Sequence, residues 1–306
     1  MDRRKFLNLA AASTAATTLI KLPATGQVAS SALLSRKIPS TGQTIPILGM
    51  GTWITFNVGR NQRLRDKRLE VLSTFFAGGG GMIDSSPMYG SSEEVVGYCL
   101  AKLPPQERLF TATKVWTVSK WMGERQMKTS EKLWNEDKFD LMQIHNLVDW
   151  EVHLETLNAW KKEGRLKHTG ITTSHGRRHV EFEKIAREHA FDFCQFTYNI
   201  EDRGAENRLL PMAAERGMGV IINRPFQRGA LIEKLKGKPL PAWASEIEVQ
   251  NWPQFLLKFV ISHPAVTCAI PATSNPGHMR ENLRAGRGLL PDDAIRKRMA
   301  DYVQNL

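Results

Sequence analysis

Four side chains with proton and charge chemistry fall at the ends of three consecutive apolar runs. The run Gly81-Met82-Ile83 ends in Asp84, and Tyr89 follows shortly after it. The run "LFTATKV" carries Lys114, and "LMQIHN" carries His145. An acid, a cation, a phenol and an imidazole brought to one rim form a set capable of acid–base work on a bound molecule. Each has a plainer role when taken alone. Asp84 can satisfy turn amides or pair with Lys114, Tyr89 can be half-buried packing, and His145 can be a satisfied core histidine. Ser91-Ser92-Glu93-Glu94 reads as a helix capping box. The coincidence of all four types on successive strand ends favours chemistry.

The elements that must position them come from the pattern of the chain. From residue 44 onward, eight apolar runs alternate with helical stretches: "TIPILGMGTW", "GMIDSS", "LFTATKV", "DLMQIHN", "KHTGITTS", "FDFCQFTYN", "GVIINRP" and "VTCAIPATS". Short continuous runs of this kind suit strands buried on both faces of a parallel sheet. Between them, Val95, Val96, Cys99, Leu100 and Leu103 share one helical face, as do Trp252, Phe255, Leu256, Phe259 and Val260. Gly164 and Gly217 stand where helix ends favour a left-handed residue. Asp84, Lys114 and His145 recur at intervals of about 30 residues, the length of one βα unit in a barrel. Eight such units closing on themselves give an α/β fold, a (β/α)8 TIM barrel, with an open doubly wound sheet as runner-up. The active rim of such a barrel lies at the carboxyl ends of the strands. The interval after the seventh run holds "ALIEKLKGKPLPAWASEIEVQ", which reads as a long binding loop or lid.

The chain has 306 residues, 42% of them hydrophobic, and a formal charge of +11. Arg3, Arg4, Lys5 and Lys21 against Asp2 account for part of that charge. The remaining cations are scattered among acids, without the basic and aromatic stripe of a nucleic-acid binder. Cys99, Cys194 and Cys268 form neither a disulfide framework nor a metal pattern, and no strand end carries His-x-His, so no metal is expected. The opening "MDRRKFLNLAAASTAATTLIKLPATG" has a basic start, a weakly apolar middle and small residues before a cleavage region. It resembles a twin-arginine export signal and is too short and polar for a stable membrane span. The expected division is a signal and leader over 1–32 and a single barrel domain over 33–306. The expected partner is the Tat export machinery. The expected location is the periplasm, or its membrane if the signal stays uncleaved.

The order "IDSSPMYGSSEEVVG", "TATKV", "LMQIHN" resembles the aldo-keto reductases, from about Gly49 to Leu283. That resemblance implies a barrel that reduces aldehydes or ketones with a nicotinamide dinucleotide, with Asp84, Tyr89, Lys114 and His145 in the catalytic positions. Tyr89 would give a proton to the carbonyl oxygen, and a Lys114 ammonium beside the phenol would lower its pKa from about 10 toward neutral. Asp84 would hold Lys114 charged, and His145 would donate a hydrogen bond to the same oxygen. Neither "LGMGTW" nor "FFAGGGGM" has the glycine spacing of a Rossmann fingerprint, and the second reads as a helix-ending turn.

The resemblance also places the cofactor. Gly51, Thr52, Trp53 and Asp84 would border it, with Thr172, Thr173 and Gln195 at the nicotinamide carboxamide. The family more often has Ser-Asn at the threonine pair, and an aromatic where this chain has Asn223 and Arg224. In "NRPFQRG", Asn223, Arg224, Pro225 and Arg228 would follow the cofactor, the arginines gripping its pyrophosphate. Thr273, Ser274, His278 and Asn282 would take the adenosine end. NADPH is favoured over NADH on charge and family habit. Trp53, Met88, Trp116 and Trp150 suggest a small, apolar carbonyl substrate. The chain stops soon after its final helix, in "DDAIRKRMADYVQNL", which suggests an open pocket. The alternative function is a non-catalytic, dinucleotide-binding barrel that acts as a redox sensor or binds a partner.

Overall fold

The computed structural model describes residues 32–174 and 176–306. The Arg3-Arg4 signal lies outside the described residues. Two short strands come first, β1 (Ser35–Lys37) and β2 (Thr44–Pro46), paired antiparallel with Arg36 opposite Ile45. Eight parallel strands follow: β3 (Met50–Gly51), β4 (Met82–Asp84), β5 (Phe110–Val115), β6 (Phe139–Ile144), β7 (Leu166–Thr172), β8 (Phe193–Thr197), β9 (Gly219–Asn223) and β10 (Cys268–Ala269). They lie side by side in chain order from β3 to β10. The ring is joined where Leu48 bridges Ala269, with Gly49 N–H donating to the Ala269 carbonyl at 2.9 Å. Gly51 stands at this seam, and a side chain there would put a Cβ 2.8 Å from the Ile270 carbonyl oxygen. The expected (β/α)8 barrel is therefore the fold.

The helices are α1 (Gln62–Ala77), α2 (Ser92–Leu100), α3 (Lys120–Trp134), α4 (Trp150–Lys162), α5 (His179–Glu188), α6 (Leu209–Glu215), α7 (Ala230–Leu235), α8 (Trp252–Ile261), α9 (Pro276–Ala285) and α10 (Asp293–Gln304). The expected helix-ending turn before β4 is present: Gly78 caps α1 and Gly79 adopts φ +89°. Gly164 and Gly217 likewise adopt φ +75° and +63°.

Period-two alternation divides the core into two layers. Met82, Phe110, Ala112, Leu141, Phe193, Ile221 and Cys268 point into the barrel, together with Ile38 and Ile45 of the antiparallel hairpin. Strand neighbours of opposite parity, such as Ile83, Met142, Ile144 and Ile171, join the larger layer against the helices. Arg36 fastens the hairpin by donating to the carbonyls of Ile261 and His263 at 2.9 and 2.6 Å, and to that of Val266.

Three local expectations change. "TIP" belongs to the hairpin, so the first barrel strand is only Met50–Gly51. The expected loop after the seventh run contains α7 and a 3-10 segment over Ala242–Ile247. No capping box forms at α2. Ser91 Oγ instead donates to Asn57 Oδ1 at 3.0 Å and accepts from Gly59 N at 2.8 Å. Glu94 pairs with Arg65 at 2.6 Å. Glu93 turns inward to accept from Thr113 and Ser130 at 2.6 and 3.0 Å, and burial raises its pKa.

Candidate active site

The alternation that builds the apolar barrel layer also builds the polar one above it. Two residues beyond Met82, Ala112, Leu141 and Phe193 come Asp84, Lys114, Gln143 and Gln195, on the same inner face. Lys114 is fully buried, and its Nζ donates to Asp84 Oδ2 at 2.5 Å and to the Ser85 carbonyl at 2.7 Å. It also faces Tyr89, its Nζ lying 5.1 Å from the centroid of that ring. Asp84 Oδ1 accepts from Gln143 Nε2 at 2.9 Å and Gln195 Nε2 at 3.0 Å. The carboxylate is thus held by three side chains on its two oxygens, with Lys114 between it and the phenol.

Tyr89 ends a single 3-10 turn, Pro87–Tyr89, whose start is capped by Ser86 Oγ accepting from Met88 N at 3.2 Å. Its ring meets the His145 imidazole edge-on, with centroids 5.7 Å apart at 86°. His145 Nδ1 lies 2.8 Å from Ser86 Oγ. Acid, cation, phenol and imidazole therefore converge as the sequence suggests.

The protonation balance differs from expectation in one respect. Burial, the largest influence, pushes the Tyr89 phenol above its ordinary value of 10.0, and Asp84 adds to the rise. Lys114 and Arg224 oppose it without reversing it. A lowered phenol pKa was anticipated because sequence reveals the cation and conceals the desolvation. For Lys114, burial favours the neutral amine, but Asp84 and Tyr89 override it and leave the ammonium above 10.5. His145 is driven well below 6.5 by burial and by Lys114. At neutral pH the phenol therefore holds its proton, the lysine is charged and the imidazole is neutral.

Tyr89 and His145 open onto a cavity of about 1070 Å³ that runs along the strand ends. This is at or above the roughly 300–1,000 Å³ usual for small-molecule sites. Gly51, Thr52, Trp53, Asp84, Met88, Thr172, Thr173 and Gln195 line it, as do Asn223, Arg224, Pro225, Arg228, Thr273, His278 and Asn282. Ser274 does not, and neither do Trp116 and Trp150. Trp116 is 41% exposed on the loop after β5. Trp150 packs against His189, with ring centroids 5.0 Å apart. Lys114 lies beneath the lining, in contact with it through Tyr89 and Asp84.

The lining's hydrogen-bond capacity suits a carboxamide. Thr172 Oγ1 accepts from Asn146 N at 3.1 Å, which leaves its hydrogen to donate. Thr173 Oγ1 donates to the Arg177 carbonyl at 2.8 Å, which leaves its lone pairs to accept. Gln195 spends its Nε2 on Asp84 and Gln143, so it offers its carbonyl oxygen. Asn223 is tied to Thr173 and Thr197 at 3.0 and 2.7 Å. It thereby buttresses the backbone of the threonine pair at Thr173.

The opposite requirement, an anion, is met further along. Arg224 and Arg228 lie over the Trp53 ring, with guanidinium carbons 5.4 and 4.2 Å from its centroid. Among the described residues no carboxylate is within ion-pair distance of Arg177, Arg224 or Arg228. Burial and the Arg228 charge bring Arg224 down to about 10. Strained backbone collects at the same rim. Ile54, Asn146, Leu147, Arg224, Gln227 and Arg228 all have φ between 47° and 62°. Such conformations cost about 1–3 kcal/mol each and are held by surrounding structure. Among the described residues no group of three His, Cys, Asp or Glu could hold a metal.

Gln143, Ser86, Asn146 and Arg177 were not singled out in the sequence. Gln143 had a readable signal, a polar residue inside an apolar strand and two positions before His145. Ser86 and Arg177 had none beyond their place next to a strand end.

The Aldo/keto reductase family model matches residues 47–299. The chain is 26% identical over 264 residues to the NADH-specific methylglyoxal reductase of Escherichia coli, covering 74% of this chain and 78% of that protein. It is 24% identical to the aldo-keto reductase YhdN of Bacillus subtilis, over 65% of this chain and 63% of that one. Among solved structures, the thermostable aldo-keto reductase Tm1743 in complex with the inhibitor epalrestat superposes with a TM-score of 0.74. It shares 28% identity, over 88% of this chain and 99% of that one. An aldo-keto reductase from Klebsiella pneumoniae in complex with NADPH gives a TM-score of 0.73 at 22% identity, over 86% of this chain and 92% of that one, and shows the common fold.

Proposed function

The chain belongs to the aldo/keto reductase family, and we propose that it reduces the carbonyl group of a small aldehyde or ketone to an alcohol with NADPH, NADH being the alternative. The observation that carries this reading is a buried Lys114 paired with Asp84 and set against the Tyr89 ring, directly under a cavity that Tyr89 shares with His145. Relatives point the same way: one is named for methylglyoxal reduction with NADH, and a structural neighbour was crystallised with NADPH.

When bound along the strand ends, a nicotinamide dinucleotide would supply hydride to the carbonyl carbon. As negative charge grows on the carbonyl oxygen, Tyr89 gives it the phenolic proton, which completes the alcohol. The phenolate left behind is stabilised by the Lys114 ammonium and regains its proton from solvent. Asp84, fixed by Gln143 and Gln195, keeps that ammonium charged in a buried site. The neutral His145 donates a hydrogen bond to the same oxygen and sets its angle. A positioned acid contributes about 10²–10⁴ in rate, and a donor to the developing oxyanion about 10²–10³.

Thr172, Thr173 and Gln195 have the donor and acceptors to hold the carboxamide. Arg224 and Arg228 have unpaired charge for the pyrophosphate, and Thr273, His278 and Asn282 border the adenosine end. Ala272, Thr273 and Ser274 bring no basic side chain to that end, so the preference for NADPH rests on overall charge and family habit. Export through the twin-arginine route, which carries folded proteins, is part of the same proposal. Among the described residues no helix is long and apolar enough to cross a membrane.

The test is a panel of aldehydes, ketones and quinones offered to purified protein with each dinucleotide, following oxidation of the reduced cofactor. Carbonyl-dependent oxidation is expected. Tight dinucleotide binding with no turnover on any member of the panel would replace this reading with that of a non-catalytic sensor.

A further inference from the structure

Ser86 caps the turn that carries Tyr89 and also touches His145, and the roles above leave its hydroxyl hydrogen unassigned. It is completely buried, and His145 is 6% exposed. Its Oγ accepts the Met88 N–H at 3.2 Å and lies 2.8 Å from His145 Nδ1. A serine hydroxyl has one hydrogen to give. Among the described residues, His145 Nδ1 is the acceptor within reach of it.

A neutral imidazole carries its hydrogen on one ring nitrogen only, and the bond made by the other nitrogen decides which. If Nδ1 carried it, Nδ1 would donate to Ser86, and the serine hydrogen would be buried without an acceptor. An unsatisfied buried donor is costly. Nε2 would then present a lone pair toward the lone pairs of a carbonyl oxygen, the wrong polarity for holding it. If Nε2 carries the hydrogen, the Ser86 hydroxyl and His145 Nδ1 satisfy each other.

We propose that Ser86 is a positioning residue: its hydroxyl donates to His145 Nδ1 and so fixes the tautomer whose Nε2–H is available to the cavity. The consequence for turnover rests on the carbonyl-reductase reading; the tautomer itself does not. Ser86 thereby has two tasks in one atom. As an acceptor it caps the turn that places Tyr89, and as a donor it sets the polarity of His145.

The experiment is long-range ¹H–¹⁵N correlation on the full chain labelled with ¹⁵N-histidine, near neutral pH and without substrate. The chain has eight histidines, and His145 is identified by the signals lost in His145→Gln. The wild type is expected to show His145 protonated at Nε2 alone. Ser86→Ala is expected to show both tautomers, with kcat lower by about tenfold, KM within about threefold and dinucleotide affinity unchanged. Ser86→Thr, which keeps the hydroxyl, is expected to restore the single tautomer and most of kcat.

His145 protonated at Nδ1 in the wild type would overturn the proposal. So would a Ser86→Ala variant that keeps a single Nε2–H tautomer and full kcat. Should Ser86→Ala fail to fold, the wild-type spectrum decides alone. A wild type with the Nε2–H tautomer but no carbonyl turnover would sink the reductase reading and leave the Ser86 assignment standing.

Discussion

Asp84→Asn changes the site's shape hardly at all and removes one charge. The Asp84 and Lys114 side chains are 2% and 0% exposed, and their contact is 2.5 Å. Without the carboxylate, the ammonium is a buried charge whose remaining partners are the Ser85 carbonyl and the Tyr89 phenol. Breaking a buried pair by removing one member costs about 3–5 kcal/mol. In a large domain each kcal/mol lowers Tm by about 2–4 °C, so the variant is expected to melt about 6–20 °C below wild type. Burial, which favours the neutral amine, is then opposed only by the Ser85 carbonyl and Tyr89, and the Lys114 pKa falls. A lysine whose folded pKa is depressed destabilises the fold most at low pH, and the deficit shrinks as pH rises toward the unfolded value of about 10.4. Adding Lys114→Met removes the stranded charge, so the double variant is expected to regain most of the lost stability while staying inactive. The assay is thermal unfolding by circular dichroism without nucleotide, since a bound ligand would shift Tm by mass action, alongside steady-state kcat. Asp84→Asn melting within about 2 °C of wild type, or a double variant no more stable than the single, would refute the reasoning.

The pH dependence of reduction follows from Tyr89 and His145, the two groups that the proposed mechanism sets against the substrate oxygen. Tyr89 must be protonated, and its raised pKa means that condition is lost only above 10.0; His145 becomes charged only well below 6.5. With saturating dinucleotide, kcat is therefore expected to be flat from about pH 6.5 to about pH 9, and a descending limb centred near neutrality would contradict it. Arg228→Ala removes an unpaired guanidinium from the cofactor cleft and should raise the dinucleotide Kd by about tenfold to a hundredfold in a fluorescence titration. A Kd within about twofold of wild type would remove Arg228 from that role. Replacing Arg3 and Arg4 together by lysines is expected to leave the protein in the cytoplasm on cell fractionation, and unchanged secretion would remove the twin-arginine route.

The barrel was legible because buried parallel strands write themselves as apolar runs, and the proposed catalytic cluster because its polar residues interrupt such runs at or near their ends. Asp84, Lys114 and His145 needed only the period-two rule and the direction of the strands. Gln143 obeys the same rule and was passed over because an amide inside a strand suggests no reaction, although it helps anchor Asp84. The hairpin β1–β2 was invisible because its two strands are only three residues each, and "SRK" carries no apolar signal. Helix α7 has six residues, too few for a helical period to show between Gly229 and Lys236. Trp116 and Trp150 flank the catalytic strands in sequence, but beyond a strand end the loop, not the pleat, sets where a side chain goes. The direction of the Tyr89 shift depends on burial, which no list of neighbouring residues supplies.

The central claim is that Tyr89 is the proton donor, and Tyr89→Phe tests it most directly because it deletes one oxygen and keeps the ring that packs against His145. Single-turnover reduction with the dinucleotide already bound isolates the chemical step from binding and release. The expected result is a rate lower by about 10²–10⁴ with dinucleotide Kd unchanged. A rate within about threefold of wild type would contradict the account.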